Sequence, residues 1–163
     1  MSYNLQNAIG GNLCVGSAAL TGLSGAATTY STSAIATVIR GIQRVKAAVA
    51  GGATPTTDAV TGLAMTLVAN QAAVFVWGVN AAGTVQVIKG ATVAYTDTTA
   101  GSTEVKLPAL PDTFCPIAYV VIKAGATTVG TWTFGSSNWN ATGIVVDTVA
   151  NLFSLPDAAI FTA

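Results

Sequence analysis

The chain has 163 residues, of which 7% are charged, with six basic and six acidic side chains, no histidine and no formal net charge. Without a basic excess it lacks the electrostatic term that dominates nucleic-acid binding. Without histidine it cannot build a Ser-His-Asp or Cys-His nucleophile or a His-ligated metal site.

The length suits a single domain with a real core. The mean hydropathy of +0.62 is high, yet no apolar run approaches the roughly 18 residues of a spanning helix. An ordinary soluble domain is about 25% charged, and a neutral, apolar exterior promotes association. Much of this surface is therefore expected to lie against other protein in the working state.

Residues 1–29 open with MSYNLQNAIGGN, which has no basic region followed by an apolar one, so no secretory leader is expected. The segment continues as GSAALTGLSGAATTY, uncharged and without a clean period. It reads as an extended N-terminal arm that orders against a partner subunit, and residues 30–163 as the folded domain. The stretch TVIRGIQRVKAAV, 37–49, carries Arg40, Arg44 and Lys46, half of the chain's cations. Its β-branched residues and the central Arg40-Gly41 pair favour a hairpin. The flanking alanines leave a short amphipathic helix as the alternative over 34–49.

AGGATPTTDA, 50–59, reads as a loop. AAVFVWGVN (72–80) and TVQVIKG (84–90) are strands joined by Ala81-Ala82-Gly83, with a bulge or close backbone approach expected at Gly78. ATVAYTD (91–97) and STEVKL (102–107) read as further strands. PALPDTFCP (108–116) holds three prolines and is expected to be an irregular connection. IAYVVIKAG (117–125) and TTVGTWTFG (127–135) read as a second hairpin around Ala124-Gly125-Ala126. In the latter, Trp132 and Phe134 alternate with Thr131, Thr133 and Gly135, which gives one aromatic face. SSNWNATG (136–143) is loop, IVVDTV (144–149) a last strong strand, and NLFSLPDAAIFTA ends in a short apolar segment. Short strands with turn signals every eight to twelve residues define the expected fold class: all-β, a β-sandwich or jelly-roll-like single domain with an extended N-terminal arm.

No catalytic, cofactor-binding or metal-ligating set emerges, so none is assigned. The acids Asp58, Asp97, Glu104, Asp112, Asp147 and Asp157 are scattered and read as turn and surface residues. A glycosidase needs two carboxylates close in space, which sequence alone does not place. Cys14 and Cys115 are too far apart in sequence to describe a disulfide scaffold; two buried free thiols are favoured, with a Cys14–Cys115 bridge the alternative. Asn140-Ala141-Thr142 matches a glycosylation sequon but carries no weight without a secretory route. Trp77, Trp132, Trp139 and the four tyrosines are candidates for stacking on sugars, Trp139 being the most exposed by its loop position. Packing is the favoured role for each.

The order VFVWGVNAAGTVQVIKG, then LPALPD, then IAYVVIKAGATTVGTWTFGSSNWNATG, then a strand and SLPD, resembles capsid decoration, cement or head-fibre proteins of tailed bacteriophages. The resemblance spans roughly residues 30–157. It implies a non-enzymatic, β-rich virion subunit, made in the bacterial host cytoplasm, that forms trimers or dimers on the capsid surface. Its partners would be the major capsid protein and other copies of itself, with neither nucleic acid nor membrane involved and no cofactor. An extended terminal segment would grip the shell. The same group shades into tail and fibre adhesion modules that bind a host surface glycan, which is the alternative function.

Overall fold

A computed structural model describes residues 12–96 and 105–152 of the chain. Its strands are β1 (Leu13–Val15), β2 (Thr29–Thr32), β3 (Ile35–Ile39), β4 (Ile42–Lys46), β5 (Val49–Ala53), β6 (Thr66–Val68), β7 (Gln71–Asn80), β8 (Val85–Lys89), β9 (Val93–Ala94), β10 (Phe114–Ala124), β11 (Thr131–Thr133) and β12 (Ile144–Asn151). There is no helix among the described residues. The protein is all-β, with a β-sandwich-like arrangement in one domain.

The main sheet runs β12-β10-β7-β8, with β9 also on β7, and every pairing is antiparallel. β7 is buried from Ala72 to Val79, so the sequence run AAVFVWGV has no polar face because both of its sides are covered. Ala73, Phe75, Trp77 and Val79 point into the larger core, while Val74 and Val76 join Ile88 and Phe114 in a smaller cluster on the opposite side. Facing the larger core lie the sheet β1-β3-β4 and the two ribbons β2-β5 and β6-β11. These contribute Tyr30, Ile35, Ile39, Leu67 and Trp132.

The aromatic side chains pack at the centre. Phe75 stacks on Phe134 with centroids 4.5 Å apart, and Trp77 lies 4.9 Å from Tyr30. Trp139 packs edge-on against Phe134 at 5.2 Å. Such tilted and offset geometries are those preferred by aromatic quadrupoles.

Within the stretch 34–49, β3 and β4 form a hairpin, with Thr37 opposite Arg44 and Ile39 opposite Ile42. Arg40 and Gly41 have φ values of 52° and 77°, the two positive angles of a two-residue type I′ turn. A non-glycine residue is disfavoured there, and Arg40 is held by external bonds. Its N–H donates to Asn12 Oδ1 at 2.9 Å, and its guanidinium donates to both oxygens of Asp112 at 2.8 and 2.7 Å.

Several expectations are corrected. Residues 50–53, expected as part of a loop over 50–59, belong to β5 (Val49–Ala53), paired with β2. The strand expected over 91–97 shrinks to Val93–Ala94, and Val105–Leu107 carry no strand. The proline-rich connection ends earlier than expected, because Phe114, Cys115 and Pro116 already belong to β10. Pro116 is tolerated in this central strand because a bulge lies beside it. Pro116 faces Gly78 and Ala118 faces Trp77, leaving Ile117 as the extra residue. The bulge also switches which residues face inward, so Cys115 and Ile117 are buried, then Ala118, Val120 and Ile122.

The second hairpin is not formed. β10 pairs with β7 and β12, whereas β11 pairs with β6. Its alternating aromatic face is present nonetheless, with Trp132 and Phe134 both buried. Gly78 is a point of close approach as expected. A Cβ there would lie 2.2 Å from the Phe114 ring.

Residues 1–11 of the expected arm lie outside the described residues. Residues 12–29 pack on the chain's own core: β1 pairs with β3, and Cys14, Ala18, Leu20 and Leu23 are buried. Leu20 and Leu23 anchor the segment, while most of the small residues around them stay exposed. Packing therefore shows no boundary at residue 30.

Candidate functional site

The described residues gather no catalytic constellation, and no three of their Cys, Asp and Glu side chains form a possible metal cluster. Large apolar side chains stand in solvent around the sandwich. Val129 is 88% exposed, Val45 73% and Leu63 68%. Ile42 lies on the same edge strand as Val45, and Val145 and Val149 lie on β12 at the rim of the main sheet.

The carboxylates among the described residues are all engaged. Asp58 is the buried one. Its oxygens accept from the N–H groups of Val60 (2.9 Å), Thr61 (2.8 Å) and Lys89 (2.7 Å) and from the Thr61 hydroxyl. Burial alone would push this carboxyl up, but those donors outweigh it and hold the group below its ordinary range. Burial likewise pushes the Lys89 ammonium down, and the Asp58 charge offsets part of that. Through Asp58 the 57–64 loop is clipped to β8, where Ala59 N–H also donates to Val87 O at 2.9 Å.

Asp112 pairs with Arg40, both being well exposed, and Asp147 pairs with Lys123 at 2.7 Å. The Lys123 ammonium also sits 5.5 Å from the Tyr95 ring centroid. Asp97, Glu104 and Asp157 lie outside the described residues. Two cations on β4, Arg44 and Lys46, take part in no ion pair among the described residues. This is the feature that sequence reading missed, because pairing partners are set by tertiary placement and not by spacing along the chain.

The aromatic candidates are core residues. Trp77, Trp132 and Trp139 are at most 2% exposed. The Trp132 indole N–H donates to Asn138 O at 3.0 Å, which turns the 136–143 loop inward and carries Trp139 with it. Tyr30 is buried, Tyr95 and Tyr119 are half-buried, and Tyr3 lies outside the described residues. Asn140 is exposed, and its N–H donates to Gly25 O. Beside this loop is a shallow recess of about 210 Å³ lined by Thr128, Thr131, Trp132 and Ser137 among others, without a charged side chain.

Cys14 and Cys115 are free and buried in one core cluster. Burial raises the Cys14 thiol to about 11. Burial, with a smaller contribution from Cys14, raises Cys115 to about 12. Neither is a thiolate at neutral pH, so neither is poised as a nucleophile or metal ligand.

The chain matches no family model, no curated protein and no solved structure. The functional reading therefore rests on its own residues.

Proposed function

We propose that this chain is a non-enzymatic virion structural protein, a decoration or cement subunit on the head of a tailed bacteriophage. It is made in the bacterial host cytoplasm and acts on the capsid surface as a trimer or dimer bound to the major capsid protein. The observation that carries the reading is the exterior: large apolar side chains such as Val45, Leu63 and Val129 in solvent, on a chain with 7% charged residues and no formal net charge. A surface with so little net charge favours association. Many weak contacts per shell would combine into slow loss of the subunit.

In this reading the arm is residues 1–29, of which 12–29 also contribute Cys14, Ala18, Leu20 and Leu23 to the core, and 1–11 lie outside the described residues. The alternative, a tail or head-fibre adhesion module for a host surface glycan, rests on Trp139 with Asn138 and Asn140. Both asparagines are exposed, but the indole that would stack on a sugar is buried.

Sedimentation at rising concentration and electron microscopy of purified particles test the proposal. An oligomer in solution and density for the chain on the shell are expected. Removing residues 1–11 should leave the circular dichroism of the folded protein and abolish shell occupancy. A single-copy species at high concentration, together with particles that lack the chain, would reject the function. Full occupancy by the truncated chain would reject only the arm.

A further inference from the structure

The edge strand β4 has no buried residue and carries two cations, Arg44 and Lys46. β4 pairs with β3 on one side only, and among the described residues no backbone bond reaches its other edge. All of β4 is exposed except the half-buried Lys46, with Ile42 at 56% and Val45 at 73%. Its neighbour β3 has the contrasting pattern, with Ile35, Thr37 and Ile39 buried. Since Thr37 lies opposite Arg44 and Ile35 opposite Lys46, the two cations share the face of β3 that carries the core residues. They overhang it at the rim. There they border a cleft of about 120 Å³, closed on its far side by the Asn80–Gly83 turn.

Three facts define what fits. An edge strand offers unpaired N–H and C=O groups to another extended chain. Arg44 and Lys46, two residues apart, repeat at roughly 7 Å along the strand, the spacing of alternate side chains in an added strand. Every described carboxylate is already engaged: Asp58 by three N–H groups, Asp112 by Arg40 and Asp147 by Lys123. No described acid therefore answers these cations. On the other face, Val45 offers an apolar contact to the intervening residues of the incoming strand.

We infer that the free edge of β4 is a strand-addition site for an extended protein segment that alternates carboxylate and apolar side chains, its acids entering the cleft beside Arg44 and Lys46. A second copy of β4 is a poor occupant. A two-fold antiparallel pairing in one sheet puts the same two cations on the same face of both strands, and like charges in that position repel. The inference goes beyond the virion reading and does not depend on it, because the site is defined by this chain alone.

The probe is a capped eight-residue peptide of alternating valine and glutamate, fluorescently labelled. Controls replace glutamate by glutamine or lysine. Binding to the full chain is followed by fluorescence anisotropy, and the site by amide chemical shifts. The glutamate peptide should bind and shift the amides of 42–46. Its affinity should fall at least tenfold in the double variant R44E/K46E and should weaken with added salt. Circular dichroism and melting of that variant should match the wild type, since both side chains lie at the rim. Failure of the glutamate peptide to bind would overturn the inference, as would equal binding of the glutamine peptide or shifts confined to other strands. Self-association that replaces peptide binding and disappears in R44E/K46E would overturn it in favour of a second copy.

Discussion

The two hairpins of this protein, β3–β4 and β7–β8, end in edge strands that are treated in opposite ways. β8 is sealed. The buried Asp58 accepts the Lys89 N–H, and Ala59 donates to Val87 O, so a loop occupies the edge. β4 is left open, with cations on one face and Val45 in solvent on the other. Both strands have neighbours that bury apolar groups, yet only one edge is available to another chain. Among the described residues the difference lies in where the carboxylates sit. Asp58 satisfies backbone donors at the β8 edge, whereas no described carboxylate answers the β4 edge. An unanswered pair of cations discourages promiscuous strand pairing while leaving a complementary partner a place to bind.

The contrast is broken most severely from the buried side. Trp77, opposite Val87 in the β7–β8 ladder, is fully buried against Tyr30 and Phe134. Trp77→Ala should cost about 3–5 kcal/mol, a large share of a typical domain's stability. Chemical denaturation would show a large drop in midpoint, or no folded baseline at all. Trp77→Phe should cost much less, since the indole N–H has no hydrogen-bond partner to lose. Equal losses for both variants would mean that the ring's packing is not what holds β7–β8 in place.

The seal itself is tested at Asp58. Asp58→Ala removes an acceptor from three N–H groups, and each stranded donor adds to a cost of about 1–3 kcal/mol. Its pH dependence has a definite sign. Because the folded carboxyl is held below its ordinary value, its contribution is fully present above the ordinary carboxylate range. It is lost as pH falls through the folded value. Wild type and Asp58→Asn should therefore differ most near neutral pH and converge in acid. A gap that widens on acidification would show that Asp58 is not held as a carboxylate.

Much of this contrast was legible in the sequence, and its gaps are physical. The β3–β4 turn announced itself through Arg40-Gly41, and β7 and β8 through their β-branched and aromatic runs, because local backbone preference and apolar pattern agree there. The pairing of β11 with β6 was hidden. Ala124-Gly125-Ala126 has the look of a hairpin turn, but strand partners are chosen by which faces bury Trp132 and Phe134, a long-range matter. Pro116 was misjudged because a bulge, invisible in composition, removes the need for its N–H. The packing of Ala18, Leu20 and Leu23 is not legible because three buried residues among exposed Gly, Ala, Ser and Thr make no sustained helix or strand period. Arg44 and Lys46 are legible as a cluster, but that no described carboxylate pairs with them depends on tertiary placement.

On the open side, effects on folding should be smaller. Gly41 has φ 77° with nothing within 4 Å of where a Cβ would stand. Gly41→Ala therefore has room, but must adopt a left-handed backbone, at about 1–2 kcal/mol. That cost should appear as a lower melting temperature, with the β3–β4 amides more readily exchanged than those of β7–β8. If the loss were spread evenly over both hairpins, the two would be one cooperative unit and not separable edges.

The smallest effect on stability belongs to β4 itself, and it is the sharpest test of the comparison. Val45 is 73% exposed, and Arg44 has no ion pair among the described residues. Val45→Thr and Arg44→Gln remove neither a buried group nor a satisfied charge, so each should change the unfolding free energy by less than about 0.5 kcal/mol. A strand that contributes so little to its own fold, yet keeps an apolar side chain and a cation in water, is better suited to contact than to structure. A loss of 2 kcal/mol or more in either variant would show that β4 is a structural edge like β8. The contrast drawn between the two hairpins would then vanish.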